Sequence, residues 1–204
     1  MSTIRSAVLA SGNPGKLREL RELLRGHIRL IDMRELALVA AEETGSSLEE
    51  NARLKAFAAA RQSGLPALSD DSGLEVDALG GAPGIYSSRY AGDDGNARAN
   101  IRKLLKDLDG VPAGNRTARF RCVLVLAIPD NEQAPLIVEG VWEGRIAERA
   151  EGRRGFGYDP VFLDGRTGKC AALMSATEKG RRSHRGLAVR ELVRALGRRG
   201  AGAG

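Results

Sequence analysis

Apolar and polar positions change period several times along the chain, and each change predicts an element. Residues 4–10, apolar from Ala7 to Ala10, read as a buried strand, and from Lys16 to Leu24 the leucines at 17, 20, 23 and 24 fall on one helical face. Asn13 is placed to cap that helix, and Pro14 suits its first position. Ile28–Ile31 reads as a second strand. Ser47 with Glu50 makes a capping box for an Ala-rich helix reaching about Gln62. Pro66–Asp70 reads as a short strand ending in an acidic corner, SDDSG, before the apolar stretch Leu74–Leu79 and a sharp loop, GGAPG. Asp93 or Asp94 opens a helix to about Leu108. Arg119–Ile128 and Pro135–Ala147 are strand-like runs joined by PDNEQA, which predicts a long antiparallel hairpin. GRRGFGYDP (152–160) is a Gly-rich loop, and a last helix is expected from Ser183 to about Leu196.

Strands and helices alternate in the first half, while the middle offers long antiparallel strands. That combination predicts an α/β protein with a mixed sheet. Neither an internal repeat nor a long linker interrupts it, so residues 1–196 are expected to form one domain with a cleft. Residues 197–204, a Gly-rich tail, are expected to fray.

Charge and composition narrow the partners. The net charge of +6 fits an anionic substrate or a nucleic acid. The arginines are scattered, however, and aromatics make up only 4% of the chain, too few for a base-stacking surface. A polymeric nucleic-acid partner is therefore not expected. No apolar run approaches the ~20 residues of a membrane span, the first residues lack a signal-peptide core, and Cys122 and Cys170 stand in no metal or disulfide spacing. A cytoplasmic protein is expected. Because the chain holds 26 arginines and only 6 lysines, each lysine draws attention, Lys16 and Lys179 first, since both lie in Gly-rich or polar segments.

Lys16 sits in the opening turn of its helix, where the macrodipole disfavours a cation by roughly 0.3–1 kcal/mol. An anion nearby would reverse that penalty. SGNPGK (Ser11, Gly12, Asn13, Pro14, Gly15, Lys16) joins strand, turn, helix start and lysine, an arrangement suited to phosphate, although its spacing is not that of a Walker A loop. An ordinary turn with a solvated lysine is the alternative. SDDSG supplies adjacent carboxylates, Asp70 and Asp71, which diverge if strand alternation holds. Mg²⁺ takes oxygen ligands, typically one or two carboxylates plus substrate phosphates, and Glu42 or Glu43 could supply the second; solvated acids in an Asx turn are the alternative. Phe156 and Tyr158 in the Gly-rich loop either cover a flat ligand, with Asp159 reading its edge, or plug the core. TEKGRRSHRG gathers Lys179, Arg181, Arg182, His184 and Arg185 around the cap of the last helix, again a misplaced basic cluster unless an anion meets it.

Together, SGNPGK, AEETG, SDDSGLEVDALGGAPGIYSSRYAG, FGYDPVF and SHRG resemble, in order and spacing, the inosine triphosphate pyrophosphatase family, whose bacterial members are called dITP/XTP pyrophosphatases. The resemblance runs from about residue 7 to 196. It implies an elongated mixed α/β fold with two lobes around a central substrate cleft, and a homodimer. The implied reaction is Mg²⁺-dependent hydrolysis of ITP, dITP or XTP to the monophosphate and pyrophosphate, which clears deaminated purines from the nucleotide pool. Carried over by residue, Ser11 to Lys16 line the triphosphate site, Asp71 is the carboxylate at the catalytic centre, proton acceptor and metal ligand, Glu42 is the second metal carboxylate, and Ser72 touches substrate. Phe156, Gly157, Tyr158 and Asp159 hold the base, with Lys179, His184 and Arg185 completing the nucleotide site. A donor such as Arg185 or a backbone N–H facing O6 would reject adenine by opposing two donors, at about 1–3 kcal/mol per unpaired group. The rival enzyme is a Maf-like pyrophosphatase acting on modified pyrimidine nucleotides; the rival of another class is a basic nucleic-acid-binding module.

Overall fold

The computed structural model describes residues 4–92, 95–129 and 131–201. Strand β1 (Ser6–Leu9) pairs in parallel with β2 (Arg29–Asp32) on one side and with β3 (Ala67–Val76) on the other, in the register Val8 to Ala67 and Leu9 to Leu68. Short β4 (Pro83–Gly84) runs antiparallel to β3, and β7 (Phe162–Asp164) antiparallel to β6 (Asn131–Ile146). With β5 (Thr117–Ile128) these make one mixed sheet in the order β2-β1-β3-β5-β6-β7, β4 lying off that path on β3. The helices are α1 (Pro14–Leu23), α2 (Leu48–Ser63), α3 (Ala97–Asp107), α4 (Ala176–Arg182) and α5 (His184–Ala201). The mixed α/β expectation is met. No helix among the described residues is long and apolar enough to cross a membrane.

The chain packs as two compact units. One comprises Met1–Asp71, Cys122–Gly140 and Arg185–Gly204. Its core joins Leu17, Leu20 and Leu24 of the first helical segment to Leu9 and Leu68 of the sheet and Leu192 of α5. Each such buried leucine contributes about 1.5–3 kcal/mol, which is why the 17/20/24 spacing sets the orientation of α1. The other unit, Ser72–Arg121 and Val141–His184, centres on Leu104, Phe120, Trp142, Tyr158 and Phe162.

Local capping follows the sequence closely at α1. The Asn13 side chain accepts from Gly15 N at 2.9 Å and Lys16 N at 3.2 Å, and Pro14 opens the helix. At α2 the Ser47 hydroxyl accepts from Glu50 N (3.1 Å), but the Glu50 carboxylate reaches back one residue further than a capping box requires, to Ser46 N and Oγ.

Three expectations are corrected. SDDSG is no corner: β3 runs straight through it. Gly73 is what the continuation requires, since a Cβ there would stand 2.5 Å from the Gly84 carbonyl oxygen of the adjoining β4. A separate helix, α4, precedes the last one, capped by Ser175 accepting from Glu178 N at 3.1 Å. The last helix also continues past Leu196 to Ala201, because Leu196 and Arg198 are good helix formers on either side of Gly197; residues 202–204 lie outside the described residues. Asp93 and Asp94 lie outside them too, and α3 is capped by Asn96, whose side chain accepts from Ala99 N. Of the PDNEQA connection, Asp130 is likewise outside, and β6 already begins at Asn131.

Candidate functional site

In the first unit the turn from β1 into α1 carries SGNPGK. Gly12, Asn13 and Pro14 are exposed, Gly15 is buried, and Ser11 Oγ accepts from Asn13 N at 3.3 Å. Two of the amide groups expected to cradle phosphate, those of Gly15 and Lys16, are taken up by the Asn13 cap. The Lys16 side chain turns the other way. Its ammonium lies 2.9 Å from Asp70 Oδ1 and donates to the Asp70 carbonyl at 3.0 Å. A carboxylate of the protein itself thus supplies the negative charge that the helix start called for.

Alternation along β3 sends the two acids into different surroundings. Asp70 is fully buried; its Oδ2 accepts from Arg185 Nε at 2.6 Å, and Arg185 Nη1 donates to Glu19 at 2.7 Å. Burial works against the Arg185 charge, and Asp70 and Glu19 outweigh it, so the guanidinium holds its proton more tightly than usual. Asp71 instead accepts from the Lys55 ammonium at 2.5 Å. That ammonium also reaches Glu43 Oε1 at 2.8 Å and the Asp70 carbonyl at 3.3 Å. Burial pushes the Asp71 carboxyl above the usual carboxylate range: the Lys55 and Lys16 charges pull it down, and the Glu43 charge adds to the rise. Burial also opposes the charge on Lys55, but two carboxylates face it and hold it protonated.

Lys55 is the residue that the sequence reading missed. Its signal was available, as one of only six lysines in an arginine-rich chain, but an Ala-rich helix hid it among surface positions. Of the two adjacent glutamates, Glu43 is the one joined to Asp71 through Lys55, while Glu42 is exposed. Among the described residues no group of three or more His, Cys, Asp and Glu side chains is placed to hold a metal ion. Asp71 and Glu43 nevertheless suit a hard divalent cation, as two carboxylates already gathered about a positive charge.

The second unit holds Ser72, half-buried one position along β3, and the aromatic loop. Gly155 adopts φ +77°, and a Cβ there would meet Asp159 Oδ2 at 1.8 Å. That close approach lets Asp159 Oδ2 accept from Phe156 N (2.8 Å) and bind the Lys179 ammonium (2.5 Å). Asp159 is 2% exposed, and through these two contacts its Oδ2 shapes the loop. Tyr158 takes the core-plugging role, its hydroxyl donating to the Ser87 carbonyl at 2.9 Å. Phe156 stays half-buried beside Gly157, with the Lys179 ammonium 5.1 Å from its ring centroid. His184 is buried and stacks on Phe120 at 4.7 Å, with Trp142 at 6.3 Å.

The basic run is less anomalous than its sequence suggested. Lys179, Arg181 and Arg182 close α4 instead of opening the last helix, so the dipole favours them. Only His184 and Arg185 remain at a helix start, and Arg185 has its own carboxylates.

Comparison with known proteins agrees with this arrangement over nearly the whole chain. The profile of the Ham1 family matches residues 7–195. A dITP/XTP pyrophosphatase of Thioalkalivibrio sulfidiphilus is 55% identical over 190 residues, 93% of this chain and 97% of that protein. One of Methylococcus capsulatus is 53% identical over 193 residues, covering 94% and 96%. Among solved structures, a HAM1 protein from Coxiella burnetii superposes with a TM-score of 0.86 at 46% identity, over 96% of this chain and 100% of its own. A nucleoside-triphosphatase / dITP/XTP pyrophosphatase from Mycobacterium abscessus gives 0.70 at 37%, over 94% and 97%. Matched by the family over residues 7–195 and by such relatives over 93–96% of its length, the chain belongs to the Ham1 family.

Proposed function

We propose that this enzyme hydrolyses the triphosphates of deaminated purines, dITP, ITP and XTP, to the nucleoside monophosphate and pyrophosphate, with Mg²⁺ as cofactor. The reading is carried by one observation: two carboxylates, Asp71 and Glu43, share the Lys55 ammonium, and Lys55 and Lys16 both reach the Asp70 carbonyl. Relatives 55% and 53% identical to this chain carry the name dITP/XTP pyrophosphatase.

A triphosphate carries close to four negative charges, and hydrolysis requires that charge moving onto the leaving pyrophosphate be stabilised. Lys16 and Lys55 supply two point charges for its oxygens. Asp71 with Glu43, or with Glu42 as the family resemblance implies, would hold the divalent ion, which when bound neutralises phosphate oxygens. Asp71, with its carboxyl held above the usual range, is also suited to accept a proton from water; ligation and proton acceptance compete, and ligation is the role we favour. Phe156 offers the stacking face for the base. The donor that faces O6 and rejects adenine is Arg185, whose Nε and Nη1 here meet Asp70 and Glu19, or a backbone N–H. The active enzyme is taken to be a homodimer, as the family resemblance implies.

The test is a product assay on the purified chain with ITP, dITP, XTP, dTTP and UTP, with and without Mg²⁺. Pyrophosphate release from the three purine substrates in the presence of metal is expected. Mainly orthophosphate would overturn the cleavage site, and preferential turnover of the pyrimidine nucleotides would transfer the enzyme to the Maf-like type.

A further inference from the structure

We infer that Asp70 is a positioning residue: a buried counter-ion that holds Lys16 in its working orientation and ties it to Arg185. The proposal rests on the reading of Lys16 as a phosphate-binding residue and goes beyond it.

The acid at 70 is fully buried on β3, and cations meet both of its side-chain oxygens. Oδ1 lies 2.9 Å from Lys16 Nζ and accepts from Arg185 Nη2 at 3.5 Å; Oδ2 accepts from Arg185 Nε at 2.6 Å and from Cys122 Sγ at 3.5 Å. The Asp70 carbonyl accepts a second bond from the same lysine. Glu19, one turn of α1 beyond Lys16, completes the group by pairing with the far nitrogen of Arg185. Lys16 is held at two points by one residue, which leaves its ammonium little freedom, while its side chain keeps 15% exposure. Its neighbour Asp71 faces a different lysine and a second acid. The adjacent acids thus divide the work: Asp71 meets the reacting groups, and Asp70 acts through Lys16.

Charge and orientation have opposite consequences when Asp70→Asn is made, and this gives the test. Removing one negative charge beside the lysine strengthens attraction for a polyphosphate in the ground state. Losing the charge-assisted contact frees the ammonium from the geometry needed in the transition state. With dITP as substrate, D70N is expected to lower kcat roughly tenfold or more, with KM no higher than that of the parent. Lys16→Met should lower kcat at least as far as D70N does and raise KM as well. In a K16M background, D70N should change kcat by less than about threefold, because the residue it acts through is gone. A mere loss of folded protein would multiply with K16M, so a multiplicative pair overturns the proposal and leaves the Lys16 reading standing. Parental kinetics in K16M overturn both. Should D70N fail to fold, Asp70→Asn with Arg185→Met, which replaces the ion pair by a neutral one, is compared with Arg185→Met alone; a kcat lower in the double variant than in R185M, with the fold retained, upholds the proposal, and equal kcat overturns it.

Discussion

Lys55→Met places the largest perturbation on the smallest group of atoms. The ammonium stands 2.5 Å from Asp71 and 2.8 Å from Glu43, with side-chain exposures of 10% for Lys55, 9% for Asp71 and 31% for Glu43. Removing one partner of a buried pair costs about 3–5 kcal/mol. Glu43 is near enough to water to be resolvated, so the cost falls mainly on Asp71, and the low end, about 3 kcal/mol, applies. At roughly 2–4 °C per kcal/mol for a chain of this size, the melting temperature should drop by about 6–12 °C at pH 8.

The sign with pH is fixed by the same atoms. Burial already raises the Asp71 carboxyl above its ordinary value, and Lys55 is the principal charge that lowers it. Without the lysine it rises further. The native mutant then binds a proton that the unfolded chain releases, from about pH 4 up to the raised value. Its stability falls as pH rises through that window and recovers as pH falls. Urea unfolding at pH 5 and pH 8, in EDTA, should show the gap between K55M and the parent narrowing at pH 5. Added Mg²⁺ should narrow it at pH 8 as well, by supplying the missing positive charge. Equal urea midpoints at pH 8, or a gap that ignores pH, would refute the assignment of Lys55 as the cation that Asp71 depends on.

Other perturbations have simpler readouts. Asp71→Asn should take turnover below detection while circular dichroism stays unchanged, and an active variant would remove Asp71 from the mechanism. Phe156→Ala should raise KM for ITP about tenfold or more, by analogy with base–aromatic stacking worth roughly 1–3 kcal/mol per base; an unchanged KM would return the ring to a packing role. Gly155→Ala forces a Cβ onto Asp159 Oδ2 and a side chain into φ +77°, a backbone cost of order 1–3 kcal/mol. It should therefore lower the melting temperature and raise KM together, whereas parental kinetics would mean that the loop tolerates the loss of its Asp159 contact.

Elements governed by neighbours in sequence were legible before any coordinates. Asn13, Pro14 and the leucine spacing place α1 within a residue or two, because a cap and an apolar stripe are local physics. SDDSG was not legible as strand. Asp, Ser and Gly favour turns when they are alone, and their partners arrive from far along the chain, Arg185 from 115 residues away. The helix α4 escaped for a related reason: Gly180 and a basic run disguised seven helical residues whose last-turn cations the dipole stabilises. For the candidate site the sequence named the loops and Lys16 but not Lys55, whose significance lies only in the carboxylates that face it.

The position of the acid pair inside a strand has a consequence that a corner would not have. Consecutive residues of a strand face opposite ways, so one rigid backbone gives the two adjacent aspartate side chains different ion-pair partners, although the Lys16 charge reaches both. On one side, Asp70 and Glu19 pair with Lys16 and Arg185. On the other, Asp71 and Glu43 both pair with Lys55. On the proposed reading a divalent cation is taken by Asp71 and Glu43, whose carboxylates converge on one ammonium. The two aspartates are therefore not interchangeable, although their chemistry is identical: strand alternation decides which of them pairs with Lys55 and which is the counter-ion of Lys16 and Arg185.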